Sequence, residues 1–176
     1  MSNAQLPKKI DPRKLAERGV RIEGEVELKR LPRLLSMLVD DQGKVQVDLQ
    51  FDNDELRIRT IQGNAVSTVN MTCQRCLEPV EIKVEAKFNL AVAPDEERAK
   101  TLPRYYDPLI VEGEELELLS MVEEELIITL PIVPFHDDCS IQTSFGDEAA
   151  AEKETDLVKT NPFSVLASLK ADKTLK

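Results

Sequence analysis

Alternation of apolar and polar side chains along the chain predicts several β-strands. The longest alternating stretch covers residues 80–92, where every second side chain is apolar and charged or polar side chains stand between them. Shorter stretches cover residues 20–28, 45–51 and 56–60, and residues 65–72 are rich in Val and Thr. Because each stretch has one apolar and one polar face, the strands are expected in an antiparallel sheet with one solvated face.

Helical spacing replaces alternation in three other segments. Residues 10–18 contain Asp11-Pro12, an N-cap followed by a proline suited to the first helical position. Residues 31–38 hold four leucines at helical spacing. Residues 114–130 place apolar side chains three and four positions apart, and the pattern stops at a proline. The glutamates between them, Glu123–Glu125, are interpreted as a solvated helix face.

The chain is therefore predicted to be an α+β protein with a mostly antiparallel sheet and a few helices. The pattern leaves open whether the sheet closes into a barrel. Residues 1–145 are expected to form one domain, and residues 146–160 an acidic flexible linker without an apolar stripe. Residues 161–176 are expected to be a short helical segment that docks on its own domain or on a partner. Its docking residues would be Asn161, Pro162, Phe163, Leu166 and Leu169.

Composition excludes several classes of protein. The 176 residues are 41% hydrophobic and 32% charged, which is typical of one medium-sized globular domain. No apolar run is long enough for a transmembrane helix, and the N-terminal residues lack the apolar core of a secretory signal. Three cysteines are too few for a disulfide scaffold. A reducing, cytoplasmic setting is therefore expected, without a membrane partner.

The net charge of -10 is distributed unevenly. Residues 1–36 carry nine basic and five acidic side chains, whereas residues 107–156 carry one basic and fifteen acidic side chains. The acidic total argues against DNA binding, while the basic beginning can contact RNA or merely keep the protein soluble. Candidate contact residues are Lys8, Lys9, Arg13, Lys14, Arg18 and Arg75. Further basic side chains on or near the polar face of the sheet are Arg57, Arg59, Lys83 and Lys87.

The sharpest local motif is a pair of cysteines, Cys73 and Cys76, between two predicted strands. At a hairpin tip two thiolates supply half of a tetrahedral zinc site, and His136 with Cys139 can supply the other half. Two other interpretations stay open, namely unmodified thiols and a redox pair. A redox pair is disfavoured because the motif precedes a strand and not a helix, whose N-terminus would lower the pKa of the thiol.

Motifs typical of enzymes are absent from the sequence. No phosphate-binding glycine loop and no nucleophile elbow is found, and the acidic helix shows no paired general acid and base. Apart from the alternative of a thiol redox protein, the chain is therefore not expected to be an enzyme.

Several sequence blocks, in the same order along the chain, resemble the bacterial YceD family of large ribosomal RNA subunit accumulation proteins. The blocks are CQRCLEPVE (73–81), LPRYYDPLIV (102–111), LLSMVEEELIITLPIVPFHD (118–137) and NPFSVLASLK (161–170). The opening LPKKIDPRKLAERG (6–19) is similar too, so the resemblance covers nearly the whole chain. Residues 146–157 carry no motif of the family.

The resemblance implies a cytoplasmic, non-enzymatic role in the synthesis, processing or accumulation of the 23S rRNA of the large ribosomal subunit. A first hypothesis for the mechanism is that the protein contacts a 23S rRNA precursor or an early large-subunit particle. A second hypothesis is that the acidic region binds a basic ribosomal protein, so that effects on RNA are indirect. The resemblance leaves open whether zinc is bound.

Overall fold

The main feature of the fold is a five-stranded sheet in which strands that follow one another in sequence are also neighbours in space. The computed structural model describes residues 6–141. The strands are β2 (Arg21–Glu27), β3 (Lys44–Asn53), β4 (Arg59–Thr72), β5 (Pro79–Ala93) and β6 (Asp107–Ile110). All neighbouring pairs are antiparallel except β5 and β6, which are parallel. Within these residues β2 and β6 are free edges, so the sheet is open.

A second, two-stranded sheet and several short helices complete the described part of the chain. They are β1 (Lys9–Ile10), α1 (Pro12–Glu17), a 3-10 turn (Leu28–Arg30), α2 (Pro32–Leu35), α3 (Glu96–Ala99), β7 (Leu116–Glu117) and α4 (Leu118–Thr129). Strands β1 and β7 pair in antiparallel fashion, with Lys9 opposite Glu117. Of the helices in residues 6–141, none has the length and apolarity needed to span a bilayer.

The core lies between one face of the main sheet and the helices. Inward side chains of β3 and β4, such as Leu49, Phe51 and Ile61, are fully buried. Helix α4 covers this face with Leu118, Val122 and Leu126, which recur four residues apart and are 0–1% exposed. The buried side chains are mainly aliphatic, as the low aromatic content requires.

The predicted fold class and most predicted elements are confirmed. Strand β5 contains the whole alternating stretch, and residues 65–72 belong to the fourteen-residue β4. Asp11 caps α1, because its carboxylate accepts the backbone N–H groups of Arg13 and Lys14 at 3.1 and 3.2 Å. The predicted linker and docking segment lie outside the described residues, as does the predicted domain end at residue 145.

Two elements differ from the prediction for the same reason: each pairs with a strand that lies in another part of the sequence. The helix predicted from residue 114 begins at Leu118, because Leu116–Glu117 are extended and pair with β1. Strand β6 is not among the strands predicted from alternation, and it pairs in parallel with β5. Periodicity within one segment carries no information on either pairing.

A turn replaces the first part, residues 56–58, of the strand predicted over residues 56–60. The carboxylate of Asp54 accepts the backbone N–H of Ile58 at 2.7 Å, and the backbone N–H of Arg57 donates to the Asp54 carbonyl at 2.9 Å. Arg57 adopts a left-handed φ of 60°, which strands do not use. Strand β4 therefore begins only at Arg59.

The interpretation of Glu123–Glu125 as a solvated face is wrong for Glu123. Its side chain is 4% exposed and accepts the backbone N–H groups of Arg33 and Leu34 at 2.7 and 3.0 Å. Glu124 does lie at the surface, where it pairs with the Arg33 guanidinium at 2.8 Å. The difference arises because α4 packs against the start of α2, which offers unpaired N–H groups.

Candidate metal centre

The two cysteines of the CxxC motif lie in the turn between β4 and β5, as predicted. The Cys73 N–H donates to the Glu78 carbonyl at 2.9 Å, and the Leu77 N–H donates to the Cys73 carbonyl at 3.0 Å. Leu77 turns the chain with a left-handed φ of 64°. The Cys73 side chain is fully buried, whereas Cys76 is partly exposed. The hairpin tip therefore presents one sulfur to the interior and one near the surface.

The segment after α4 lies across this hairpin tip and carries the remaining candidate ligands. The backbone N–H of Gln74 donates to the Pro134 carbonyl at 2.8 Å. The Arg75 guanidinium donates to the Cys139 carbonyl at 3.0 Å and lies 5.3 Å from the centre of the Phe135 ring. Arg75, predicted as an RNA contact, thus holds the two segments together in this structure.

The four residues that the sequence singled out converge on one point. The ligand atoms of Cys73, Cys76, His136 and Cys139 all lie within 4.8 Å of one another. The Cys73 and Cys139 sulfurs are 3.6 Å apart, and the Cys76 sulfur is 3.4 Å from His136 Nδ1. Ligands of a tetrahedral zinc ion with the usual bond lengths are roughly 3.5–3.8 Å apart. The cluster is therefore close enough and of the right composition to hold a metal ion.

A backbone carbonyl orients the histidine of this cluster. Nε2 of His136 lies 3.0 Å from the carbonyl oxygen of Pro79, at the start of β5. If Nε2 carries the proton and donates it to that oxygen, Nδ1 is left free beside Cys76, which is the tautomer that a metal ligand needs. Sequence reasoning missed this contact, because a backbone acceptor leaves no trace in residue type.

The cysteines of the cluster have unequal acidities. Burial acts to raise the pKa of the Cys73 thiol, but backbone N–H groups, first those of Cys76 and Arg75, together outweigh it and lower the pKa to about 5. Burial and the hydrogen bond to Cys73 raise the pKa of the Cys139 thiol. Cys73 as a thiolate therefore lies beside Cys139 as a thiol. A divalent cation bound between them would displace the proton of Cys139, so that both sulfurs become thiolate ligands.

The basic residues predicted near the beginning of the chain are partly neutralised by the acidic region. The Lys9 ammonium pairs with Glu115 at 2.8 Å, and the Lys14 ammonium pairs with Asp11 at 2.8 Å and lies 3.7 Å from Glu114. The pairing of β1 with β7 brings these oppositely charged segments side by side.

The remaining predicted contact residues in the basic beginning of the chain are Lys8, Arg13 and Arg18. The Arg13 guanidinium donates to the Val111 carbonyl at 2.8 Å. Lys8 and Arg18 are exposed and, among residues 6–141, have no carboxylate within 4.0 Å. Arg13 likewise has no carboxylate within 4.0 Å among these residues, so Lys8 and Arg18 are the exposed predicted contact residues at this end without an ion pair. The predicted docking residues at 161–169 lie outside the described residues.

Comparison with known proteins places this chain among its relatives. The family model described as "Large ribosomal RNA subunit accumulation protein YceD" matches residues 61–170. The chain is 33% identical over 172 residues to the Haemophilus influenzae protein of that name, an alignment that covers 97% of this chain and 99% of that protein. The chain belongs to the YceD family. The part matched by the YceD model contains all four residues of the candidate metal centre. No solved structure matches this YceD chain.

Proposed function

We propose that this chain is a non-enzymatic, cytoplasmic ribosome-biogenesis factor. It supports the synthesis, processing or accumulation of 23S rRNA by contacting an rRNA precursor or an early large-subunit particle. The observation that carries this proposal is the similarity, over nearly the full length of both chains, to a protein named for large ribosomal RNA subunit accumulation. Lys8 and Arg18, whose charges are unpaired among the described residues, would contribute to phosphate contact.

We also propose that Cys73, Cys76, His136 and Cys139 bind one zinc ion. Three sulfurs and one imidazole nitrogen are a complete tetrahedral set of ligands, which is typical of structural zinc sites and leaves no position for a reactive water. When bound, the ion would join the β4–β5 hairpin tip to the segment after α4. A closed site of this kind supports a role in binding and not in catalysis.

Complementation in a bacterial strain that lacks its own copy of the gene tests the proposed function. The wild-type chain should restore the ratio of 23S to 16S rRNA and should co-sediment with large-subunit precursors. Lys8→Glu combined with Arg18→Glu should weaken co-sedimentation, because both charges are reversed at exposed positions without ion pairs. A wild-type chain that neither restores 23S rRNA nor co-sediments would contradict the proposal.

A second candidate function is that of an adaptor for a basic ribosomal protein. A groove of about 940 Å³ beside the cysteine cluster has Val80, Ile82 and Phe135 in its lining. Its acidic lining residues are Glu78, Glu81, Asp137 and Asp138, none of which has a basic partner within 4.0 Å among residues 6–141. Binding of purified protein to RNA with a steep salt dependence favours the first candidate, and binding only to a basic ribosomal protein favours the second.

A further inference from the structure

A pocket lined by three arginines lies where the β3–β4 turn meets the segment that follows β5. It has a volume of about 520 Å³ and is lined by Arg57, Arg59 and Arg98 together with apolar side chains such as Leu56, Ile58 and Leu102. None of the acidic residues among positions 6–141 lines it. The pocket therefore combines concentrated positive charge with an apolar wall.

The arginines of this pocket have hydrogen-bonding capacity that the described residues leave unused. Arg57 and Arg98 have no carboxylate within 4.0 Å in residues 6–141. Arg59 pairs through Nη2 with Glu17 at 3.0 Å, but its Nε is buried and has no acceptor. A buried N–H without an acceptor is costly, so the Arg59 side chain is not fully satisfied by the described residues.

Local structure fixes the backbone that carries these side chains. The Asp54 carboxylate and carbonyl hold the turn in which Arg57 takes its left-handed φ. Asp95 caps the short helix α3 by accepting the backbone N–H of Arg98 at 2.8 Å. Arg59 begins β4 and pairs with Asn53 of β3. Because all three positions are anchored, little backbone ordering is needed when an anion binds.

We infer that this pocket binds a phosphate group of the RNA backbone. The planar guanidinium groups match the geometry of phosphate oxygens, and those of Arg57 and Arg98 are exposed and have no carboxylate partner among residues 6–141. The apolar wall suits the ribose that flanks each phosphate, while the absence of acidic lining residues disfavours a cation or a basic peptide. This inference rests on the proposed function, since it assigns a contact site to the RNA partner.

The pocket is separate from the cysteine cluster. Arg59 begins β4, and Cys73 directly follows the last residue of that strand. At roughly 3.3 Å per residue, the fourteen residues of the strand extend about 45 Å, so the two sites lie at opposite ends of it. Variants in the pocket should therefore leave zinc binding unchanged.

Binding of a fluorescent, single-stranded RNA 12-mer of mixed sequence to the full-length protein tests the inference. The double variant Arg57→Gln, Arg98→Gln is compared with Arg30→Gln, Arg104→Gln, which removes the same charge from two residues that also lack a carboxylate within 4.0 Å among residues 6–141. If both pocket arginines contact phosphate, the slope of log K against log salt should become shallower by about 1.4. Affinity at 0.15 M salt should fall about tenfold, against less than about threefold for the control pair.

Further measurements distinguish RNA phosphate from free inorganic phosphate and check that the variants fold correctly. Inorganic phosphate at constant ionic strength should compete weakly with RNA for the wild type and not for the pocket variant. Zinc content and the urea midpoint of the pocket variant should match those of the wild type, and Arg57→Lys, Arg98→Lys should recover part of the affinity. Tight binding of inorganic phosphate without any effect on RNA would overturn the inference.

The remaining outcomes separate this inference from the proposed function. If the pocket variant binds RNA as well as the wild type, or if the control pair loses as much affinity, the pocket is not a specific phosphate site. If the pocket variant also co-sediments with large-subunit precursors as the wild type does, the proposed function stands while the inference fails. A wild-type chain that does not co-sediment contradicts the proposed function itself.

Discussion

The backbone N–H of Leu34 donates to the buried carboxylate of Glu123 at 3.0 Å. Helix α2 has no side-chain cap of its own, because its N-cap residue is Leu31. A glutamate from α4 thus satisfies the first N–H groups of α2, and its negative charge complements the helix dipole. Two short elements that are far apart in sequence are fixed to each other through this one carboxylate.

Glu123→Ala should lower the free energy of unfolding by about 2–3 kcal/mol, because it leaves the N–H groups of Arg33 and Leu34 without an acceptor. Glu123→Gln should cost less, since its amide oxygen still accepts. The control is Glu124→Ala, which removes only an exposed ion pair and should cost less than about 1 kcal/mol. Urea denaturation measures all three, and equal losses for the two alanine variants would show that Glu123 is not the cap.

Gly63→Ala should lower the free energy of unfolding by about 3 kcal/mol. A Cβ atom at position 63 would clash with the Phe88 ring, which packs over the glycine from the neighbouring strand. Adding Phe88→Leu should restore part of the loss, because the smaller side chain leaves room for the methyl group. Gly113→Ala is the matched control, as nothing lies closer than 4.0 Å to its Cβ position. Thermal or urea unfolding of the four proteins decides the outcome, and an unaffected Gly63→Ala variant would contradict the close packing.

Metal analysis of untagged protein should find about one zinc ion per chain. Cys76→Ser and Cys139→Ser should each lose most of the zinc, because each removes one of four ligands. The control variant Asp137→Asn, Asp138→Asn changes acidic neighbours of the cluster and should retain the ion. A chelator should lower the thermal midpoint of the wild type and of this control, and should leave the midpoints of the two cysteine variants unchanged. Wild-type protein purified without zinc, and indifferent to added zinc, would rule out the site.

Absorbance titration of the tyrosines should reveal one phenol with a pKa of about 12. Burial and the hydrogen bond from Tyr106 to Asp54, at 3.0 Å, raise the pKa of this phenol. Since the folded-state pKa lies above the usual value near 10, the associated stability is present below pH 10 and is lost as the pH rises towards 12. The component should vanish in Tyr106→Phe and shift to lower pH in Asp54→Asn. The absence of tryptophan keeps the spectrum simple, and an unchanged titration in Asp54→Asn would contradict the assignment.

The sequence was sufficient to predict those features that depend on neighbouring residues. Alternation located β5, and the Asp11-Pro12 pair located α1, because both patterns are local. The candidate metal ligands were also predicted, since cysteine and histidine are few in this chain and each has distinctive chemistry. The residue types of these ligands are visible in the sequence, whereas the distances between them are not.

Features that depend on distant residues were not predictable. Glu123 looks like any exposed helix glutamate until α2 is placed beside it, and β7 is recognisable only through its pairing with β1. The arginine pocket combines Arg57 and Arg98, which are separated by an entire hairpin. The pattern of apolar and polar residues within either segment does not indicate that these two arginines lie close together.

The pairing of β1 with β7 also has a consequence for the order in which the chain folds. Lys9 and Glu115 are 106 positions apart, so their ion pair forms only after most of the described chain has been synthesised. Until then the basic beginning of the protein has no acidic neighbour from the far segment, and its charges face the solvent. Long-range closure of this kind slows folding. We expect the nascent chain to be more strongly cationic at its leading end than the finished protein.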